Sequence, residues 1–236
     1  EVASKADPQI LIGVNQQLKT KGYSFSPDAA QGALAGDTWL DVETVANLAP
    51  GSEGFWVVLH ELGHALGLRH PRLQGEVQGE FTITADHATM DYTVMAETIG
   101  QSGLFPESFA RFDALALREL YGASAVNNGP TSYSLGNRTV VGASMIVDTG
   151  GWDTLDATQS SIGVSINLEA GSASSAGRVA SDFGANNNLT IAYGTLIEAV
   201  VGSAHDDVLI GNTTRNVFTP GEGNDQIDGG AGIDTV

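Results

Sequence analysis

Two segments in the first half of the chain carry apolar residues at helical spacing. In the first, Pro50-Gly51-Ser52 interrupts the chain, and Ser52 is a suitable N-cap. One apolar face follows, and it consists of Trp56, Leu59, Leu62, Ala65 and Leu66. This period predicts a helix of about three to four turns that begins after Ser52 and ends at Gly67.

The second segment begins at Pro106, which suits a first helical position, and Glu107 complements the positive end of a helix. Its apolar face consists of Phe109, Phe112, Ala116 and Leu120. Gly122 follows directly and can end a helix. The pattern predicts a second helix between Pro106 and Gly122.

Strand patterns distinguish the two halves of the chain. Residues 8–14 and 38–42 are short and β-prone, so each predicts a strand. From about residue 127 the chain is rich in Gly, Ser, Thr, Asn and Asp, with brief β-branched runs and no helical period. We therefore predict two domains, an α+β domain over residues 1–125 and an all-β domain over residues 126–236.

The end of the chain is repetitive. Asp207, Asn216, Asp225 and Asp234 are spaced nine residues apart, and each precedes an apolar residue by two positions. Residues 220–228 and 229–236 match the nonapeptide of a calcium-binding parallel β-roll. One coil contains two nonapeptides, so we expect the loop of Asp207 to pair with that of Asp225. The loop of Asn216 then pairs with that of Asp234, as a weaker site because Asn216 is uncharged.

Composition narrows the classes of partner. The net charge is −18, from 28 acidic and 10 basic residues, and such a field repels phosphate backbones and anionic lipid head groups. We therefore expect neither nucleic acid nor a membrane as a partner. Acidic, glycine-rich stretches suit calcium, with a merely solvated acidic surface as the alternative. The chain contains no cysteine, so no disulfide stabilises it.

A histidine motif concentrates the chemistry of the first domain: residues 60–70 read H-E-x-x-H-x-x-G-x-x-H. On a helix, His60 and His64 are one turn apart on the same face, so their imidazoles can converge on one ion. Gly67 can adopt a left-handed conformation that turns the chain back, so that His70 supplies a third nitrogen. Three protein ligands leave the fourth zinc position open, which is the catalytic pattern.

Glu61 directly follows a ligand, so its carboxylate lies beside the ion without binding it. It can take a proton from zinc-bound water as that water attacks a carbonyl, and then pass the proton to the leaving amine. The sequence therefore predicts a zinc-dependent endopeptidase with Glu61 as general base and with protein or peptide substrates. For a bare H-E-x-x-H the alternative is ordinary surface or core residues, but Gly67 and His70 favour zinc.

The extended motif resembles the metzincins, and the whole chain resembles the serralysins among them. This resemblance implies a secreted, extracellular protease in which a metzincin catalytic domain, with a mixed twisted sheet and an active-site helix, precedes a calcium-binding parallel β-roll. Residues 32–43 resemble the edge strand beside the substrate. Residues 93–95, ending in Met95, resemble the Met-turn under the zinc, and residues 113–122 resemble the helix that closes the catalytic domain.

The chain departs from the serralysin pattern in two places. Serralysins carry a tyrosine two residues after the methionine, where this chain has Glu97, so the role of that tyrosine cannot be transferred. The first strand, long helix and second strand of the family have no counterpart before residue 8. We therefore expect a missing segment or a second polypeptide to complete the catalytic domain and to cover an apolar face of its sheet.

The resemblance also implies two groups of calcium ligands. Residues 148–156 resemble the family loop Asp-x-Gly-Gly-x-Asp-Thr-Leu-Asp. The ligands implied for that loop and its neighbours are Asn127, Gly129, Thr131, Asp148, Gly150, Gly151, Asp153, Leu196 and Glu198. Those implied for the nonapeptides are Asp207, Gly221, Gly223, Asp225, Gly230, Gly232 and Asp234. Asp-Gly turns without an ion are the alternative.

Two other functions compete with the protease. One is a calcium-stiffened binding or adhesion module with a degenerate protease half, which Glu97 and the missing elements favour but the intact histidine motif opposes. The other is an exported lipase on a β-roll, which requires a G-x-S-x-G elbow that this sequence lacks.

Overall fold

A computed structural model describes residues 10–73, 82–136, 139–179 and 184–236. Within these residues the chain forms two α-helices, two short 3₁₀ helices and fifteen short strands, so the fold is mostly β. No helix in the described ranges has the length and apolar character needed to cross a membrane.

The first half contains a three-stranded sheet. Its strands are β1 (Ile12–Asn15), β2 (Gly22–Ser24) and β3 (Thr38–Asp41), in the order β1-β3-β2. β1 is parallel to β3 and β2 is antiparallel to it. The 3₁₀ helices Ala29–Leu34 and Thr44–Ala46 flank β3 in the sequence. Both predicted strands are present among the described residues, while residues 8 and 9 lie outside them.

The prediction that residues 32–43 contain the edge strand is wrong. β3 lies in the centre of the sheet, with Leu40 buried, and the edge strand beside the histidine motif is β2. β3 occupies the centre because it pairs with β1 on one side and with β2 on the other. β1 is the opposite edge, and its Ile12 and Val14 side chains are 55% and 50% exposed.

Helix α1 (Glu53–Ala65) follows the predicted pattern at both ends. The Ser52 hydroxyl accepts a hydrogen bond from the Phe55 N–H at 3.2 Å, which caps the first turn. At the other end, the Gly67 and Leu68 N–H groups donate to the carbonyls of His64 and Gly63, both at 2.9 Å. Gly67 has φ +93°. The chain therefore turns back there, as predicted, in a Schellman-type arrangement.

Helix α2 (Arg111–Tyr121) begins later than predicted. Pro106 forms an isolated β-bridge with Ala143, and the Glu107 N–H donates to the Ala143 carbonyl at 2.6 Å. The segment after Pro106 is thus held in an extended conformation. The helix starts where Asp113 Oδ2 accepts from the Ala110 N–H at 2.9 Å, and it ends at Gly122, as predicted, with φ +84°.

From Ser132 onward the described chain consists of short strands. They are β4 (Ser132–Ser134), β5 (Thr139–Val140), β6 (Ser144–Ile146), β7 (Thr154–Asp156), β8 (Ser165–Asn167), β9 (Ala173–Ser174), β10 (Arg178–Val179), β11 (Leu189–Ile191), β12 (Ala199–Val201), β13 (Val208–Ile210), β14 (Val217–Thr219) and β15 (Gln226–Asp228). Their sheet orders are β10-β5, β6-β11-β9, β14-β12-β7-β4 and β15-β13-β8. All these pairs are parallel except β9 with β11.

The parallel register stacks apolar residues into one core. Leu155 pairs with Tyr133 and Val200 in one sheet, and Leu209 pairs with Ile166 and Ile227 in another. Leu155, Ile166 and Leu209 are fully buried in the same cluster. The parallel sheets expected for the second half are therefore present and pack around this core. The domain boundary between residues 125 and 126 stays a prediction.

Candidate functional site

The three motif histidines converge at one point. α1 carries His60 and His64, and the turn at Gly67 brings His70 beside them. His70 Nε2 lies 3.0 Å from His60 Nε2 and 3.1 Å from His64 Nε2. Across the described ranges, only these three residues bring three candidate side-chain ligand atoms within 4.8 Å of one another.

The backbone fixes the orientation of two of these rings. His60 Nδ1 lies 2.9 Å from the Val94 carbonyl, and His64 Nδ1 lies 3.0 Å from the Leu68 carbonyl. A carbonyl only accepts, so each Nδ1 carries the proton and each Nε2 presents a lone pair to the cluster. Lone pairs this close repel one another unless a cation lies between them.

The geometry fits a zinc ion. Tetrahedral zinc with bonds of about 2.0–2.1 Å places its nitrogen ligands roughly 3.3 Å apart, close to the spacing here. Burial lowers the pKa of His60 to about 4 and also lowers the pKa of His70. Both rings are therefore neutral near pH 7, which is the form that binds a metal. The zinc ligands stay a prediction, and these distances support it.

The floor of the histidine cluster is the turn that contains Met95. Asp113 holds this turn, since its carboxylate accepts from the Thr93 hydroxyl at 2.6 Å and from the Val94 N–H at 2.7 Å. Met95 is buried against Gly63 of α1, where a Cβ would lie 2.4 Å from the methionine sulfur. Sequence reasoning identified Met95 but missed Asp113 and Gly63, because their roles depend on contacts between distant segments.

Glu61 is buried beside the histidines. Glu61 is 7% exposed, and its Oε2 atom has no hydrogen-bond partner in the part of the chain that the structure describes. Burial raises the pKa of this carboxyl group. Edge strand β2 passes so closely that a Cβ on Gly22 would lie 2.7 Å from Glu61 Cγ. A free, poorly solvated carboxylate oxygen is suited to accept a proton from a small polar molecule.

An open cleft of about 710 Å³ gives access to the cluster. Its apolar wall consists of Trp56, Val57, Met90, Ile99 and Phe105. Trp56 stacks on Phe105 with ring centroids 5.9 Å apart, and its indole N–H donates to the Val94 carbonyl at 2.9 Å. Strand β2 and Glu97 line the remainder. The cleft therefore surrounds the histidines with an apolar wall on one part and with β2 and Glu97 on the remainder.

A second group of candidate ligands is acidic and buried. Asp148, Asp153 and Glu198 are each less than one-tenth exposed, and Asp153 Oδ2 has no hydrogen-bond partner among residues 10–73, 82–136, 139–179 and 184–236. Burial raises the pKa of Asp153 and of Glu198, and the neighbouring carboxylates raise it further. Backbone hydrogen bonds act in the opposite direction but do not outweigh these two effects. Such grouping suits a hard cation. These carboxylates are less tightly convergent than the histidines, so backbone oxygens would complete any site.

The other residues predicted for this site surround it to different degrees. The Thr131 N–H donates to Asp153 Oδ1 at 2.8 Å, and the Gly150 N–H donates to Asp148 Oδ1 at 2.9 Å. A Cβ on Gly151 would lie 2.6 Å from the Gly129 carbonyl oxygen. Leu196 is 43% exposed. Because a leucine side chain has no donor atom, only the Leu196 carbonyl could serve as a ligand.

Sequence reasoning missed Tyr133 at the same site. Its hydroxyl donates to Asp148 Oδ2 at 2.6 Å and accepts from Asn127 Nδ2 at 2.9 Å. Burial and this bond to Asp148 raise the pKa of Tyr133 to about 12. Tyr133 reads as a strand residue in the sequence, and no local motif marks it.

The repeated loops stack in the predicted pairs. The Asp207 N–H donates to Asp225 Oδ1 at 2.9 Å, and the Asn216 N–H donates to Asp234 Oδ1 at 2.8 Å. Gly221, Gly223, Gly230 and Gly232 all have positive φ, between 75° and 129°. Each also lies against the backbone of the preceding coil, where a Cβ would clash. The 18-residue coil inferred from the repeat is confirmed.

Asp207 has a structural role that the repeat did not reveal. It is 1% exposed, and its carboxylate accepts from the Ser203 N–H, the Ser203 hydroxyl and the Val164 N–H. Most of its acceptor capacity is thus used within the fold. Asp225 and Asp234 each give one oxygen to the coil before them and remain the better candidates for an ion.

The chain is similar in sequence to known peptidases. Residues 120–235 match the family described as Peptidase M10 serralysin C terminal. The chain is 31% identical to metalloprotease AprA of Pseudomonas entomophila over 92% of its length, and 31% identical to serralysin A of Dickeya chrysanthemi over 81%. It is 32% identical to a serralysin of Photorhabdus luminescens over 92%. The chain covers 50%, 43% and 49% of these relatives, about half of each.

Proposed function

We propose that the chain is a secreted, zinc-dependent endopeptidase of the serralysin type that hydrolyses proteins, and its similarity to serralysin metalloproteases supports this proposal. The observation that carries the proposal is the convergence of three Nε2 atoms beside the buried Glu61 carboxylate, whose Oε2 atom has no hydrogen-bond partner among the described residues. His60, His64 and His70 are the proposed zinc ligands, and Met95 forms the proposed Met-turn beneath them.

We assign the catalytic steps to residues of this chain. Bound zinc would supply Lewis acidity for amide hydrolysis. Glu61 Oε2 takes a proton from water in the cleft and returns it to the leaving amine, and its raised pKa helps it to hold that proton between the two steps. β2 lies along the cleft and offers its backbone to an extended substrate.

Calcium completes the proposal as a structural cofactor. The first site would use Asp148, Asp153 and Glu198, supported by their burial and by the lack of an ion pair to any of them among the described residues. The second region would use Asp225 and Asp234 with the turn glycines around them. On this proposal, residues 1–125 are part of a metzincin catalytic domain and residues 126–236 are a β-roll.

Casein hydrolysis tests the proposal. With calcium present throughout, zinc-loaded protein should cleave casein, lose that activity in 1,10-phenanthroline and regain it when zinc is restored. Hydrolysis that survives the chelator, or zinc-loaded protein without hydrolysis, would contradict it. The second result would favour the calcium-stiffened binding module.

A further inference from the structure

Glu97 is an exposed negative charge in the cleft, and it interacts electrostatically with His60 and His70. It lines the same cavity as His60, His64 and His70 but lies outside the group of converging ligand atoms. Its side chain forms no ion pair or hydrogen bond with any residue that the structure describes. The carboxylate is therefore not one of the converging ligands, and beyond the two histidines its charge is available to whatever occupies the cleft.

Apart from the histidines, no charged side chain of the described cleft lining pairs with Glu97. Lys21 and Glu53 also line the cavity, but they pair with each other. Glu61 is buried below the surface of the cleft. Glu97 is exposed, so a bound chain meets it first. The net charge of −18 attracts cationic chains toward the same surface.

The apolar wall beside Glu97 suits the stem of a long basic side chain. Ile99, Phe105 and Trp56 line the cleft together with Glu97. Lysine and arginine bury their methylene stems on apolar surface while the charged head remains at a polar rim. A lysine or arginine near the histidines would thus pack on this wall and reach the Glu97 carboxylate.

We propose that Glu97 is a specificity-determining residue that selects substrates with a lysine or arginine next to the scissile bond. This inference rests on the proposed endopeptidase function and names its substrate class. An ion pair at an exposed site contributes modestly, so we expect a preference of about 3- to 5-fold over an uncharged side chain of the same length.

Peptide binding tests this selection separately from catalysis. Three labelled alanine-based peptides, identical except for a central lysine, norleucine or glutamate, are titrated into zinc-loaded Glu61→Ala protein at low salt. We expect lysine to bind about 3- to 5-fold more tightly than norleucine, and glutamate to bind most weakly. The lysine advantage should vanish in Glu61→Ala/Glu97→Gln and reverse toward glutamate in Glu61→Ala/Glu97→Lys.

The control is Glu119→Gln in the same background, which removes an exposed carboxylate on α2 that does not line the cleft. It should leave the lysine preference unchanged. Equal binding of the three peptides, no binding at all, or a preference that Glu97→Gln preserves would overturn the assignment. Wild-type casein digests distinguish the two proposals, because absent hydrolysis with an intact lysine preference contradicts only the protease function.

Discussion

The α carbon of Gly63 lies directly against the sulfur of Met95, at a distance where an added Cβ would be 2.4 Å from Sδ. Gly63→Ala should therefore push the Met95 turn away from α1. We expect a loss of about 1–3 kcal/mol in the free energy of unfolding, together with weaker zinc binding. Chemical denaturation and zinc titration would measure both effects.

A matched glycine and a double-mutant cycle make this result specific. Gly136→Ala introduces a Cβ at ordinary contact distance and should leave both quantities unchanged. In a Met95→Ala background, Gly63→Ala should lose most of its effect, since the sulfur is gone. Equal effects in both backgrounds would show that the contact is unimportant.

Asp113 predicts a pH dependence of stability. Burial raises the pKa of this carboxyl group from 3.8 to about 6, against the opposing bonds from Thr93, Val94 and Ala110. A carboxyl group whose pKa is raised in the folded state stabilises the fold while it is protonated, at a pH below its ordinary pKa. That stabilisation is lost as the pH rises through about 6. The loss should approach roughly 3 kcal/mol.

Asp113→Asn separates this term from the rest of the protein. The amide oxygen can still accept from the Val94 and Ala110 N–H groups, but it does not ionise. The unfolding free energy of the wild type, minus that of the variant, should therefore fall as pH rises from 4 to 7. Urea denaturation across that range gives the difference, and parallel curves would refute the account.

The effect of Glu198→Gln on the melting temperature should have opposite signs with and without calcium. In excess chelator, Glu198→Gln removes a charge that is buried near Asp153 and Asp148, so the melting temperature should rise by a few degrees. In millimolar calcium the same change removes a ligand charge and should lower it. Exposed Glu169→Gln is the control. A shift in the same direction under both conditions would argue against calcium at this site.

The exposed apolar edge at β1 predicts association. Ile12 and Val14 are at least half exposed on a strand whose only partner within the described residues is β3, and such edges recruit other chains. Ile12→Lys should reduce self-association in sedimentation velocity. Leu18→Lys is the control, because Leu18 is 93% exposed but lies off the strand. Equal self-association of the two variants would show that the β1 edge does not recruit other chains. The expectation that another polypeptide covers this edge would then lose its support.

Local signals predicted the parts of the site that adjacent residues determine. Ser52 and Gly67 set the ends of α1, and the spacing of His60 and His64 places both rings on one face. The nine-residue repeat likewise predicted which loops stack. These features depend on backbone geometry within one or two turns of chain, which the sequence expresses directly.

Features that depend on distant contacts were missed or misplaced. Pro106 carries a helix-start signal, yet its segment is held by Ala143 from the second half. Residues 32–43 resemble an edge strand, but their strand β3 pairs with both β1 and β2 and lies in the centre. Tyr133 matters only because Asp148 lies beside it. No local pattern encodes such pairings.

Zinc content and casein hydrolysis, measured on the same samples of wild type and Glu61→Ala, test the central claim most directly. The account predicts one zinc per chain in both proteins, with hydrolysis lower in the variant by at least about 100-fold. Retained zinc with lost turnover identifies Glu61 as the base beside an intact three-histidine site. Equal hydrolysis in the two proteins, or wild-type protein that binds no zinc, would contradict the account.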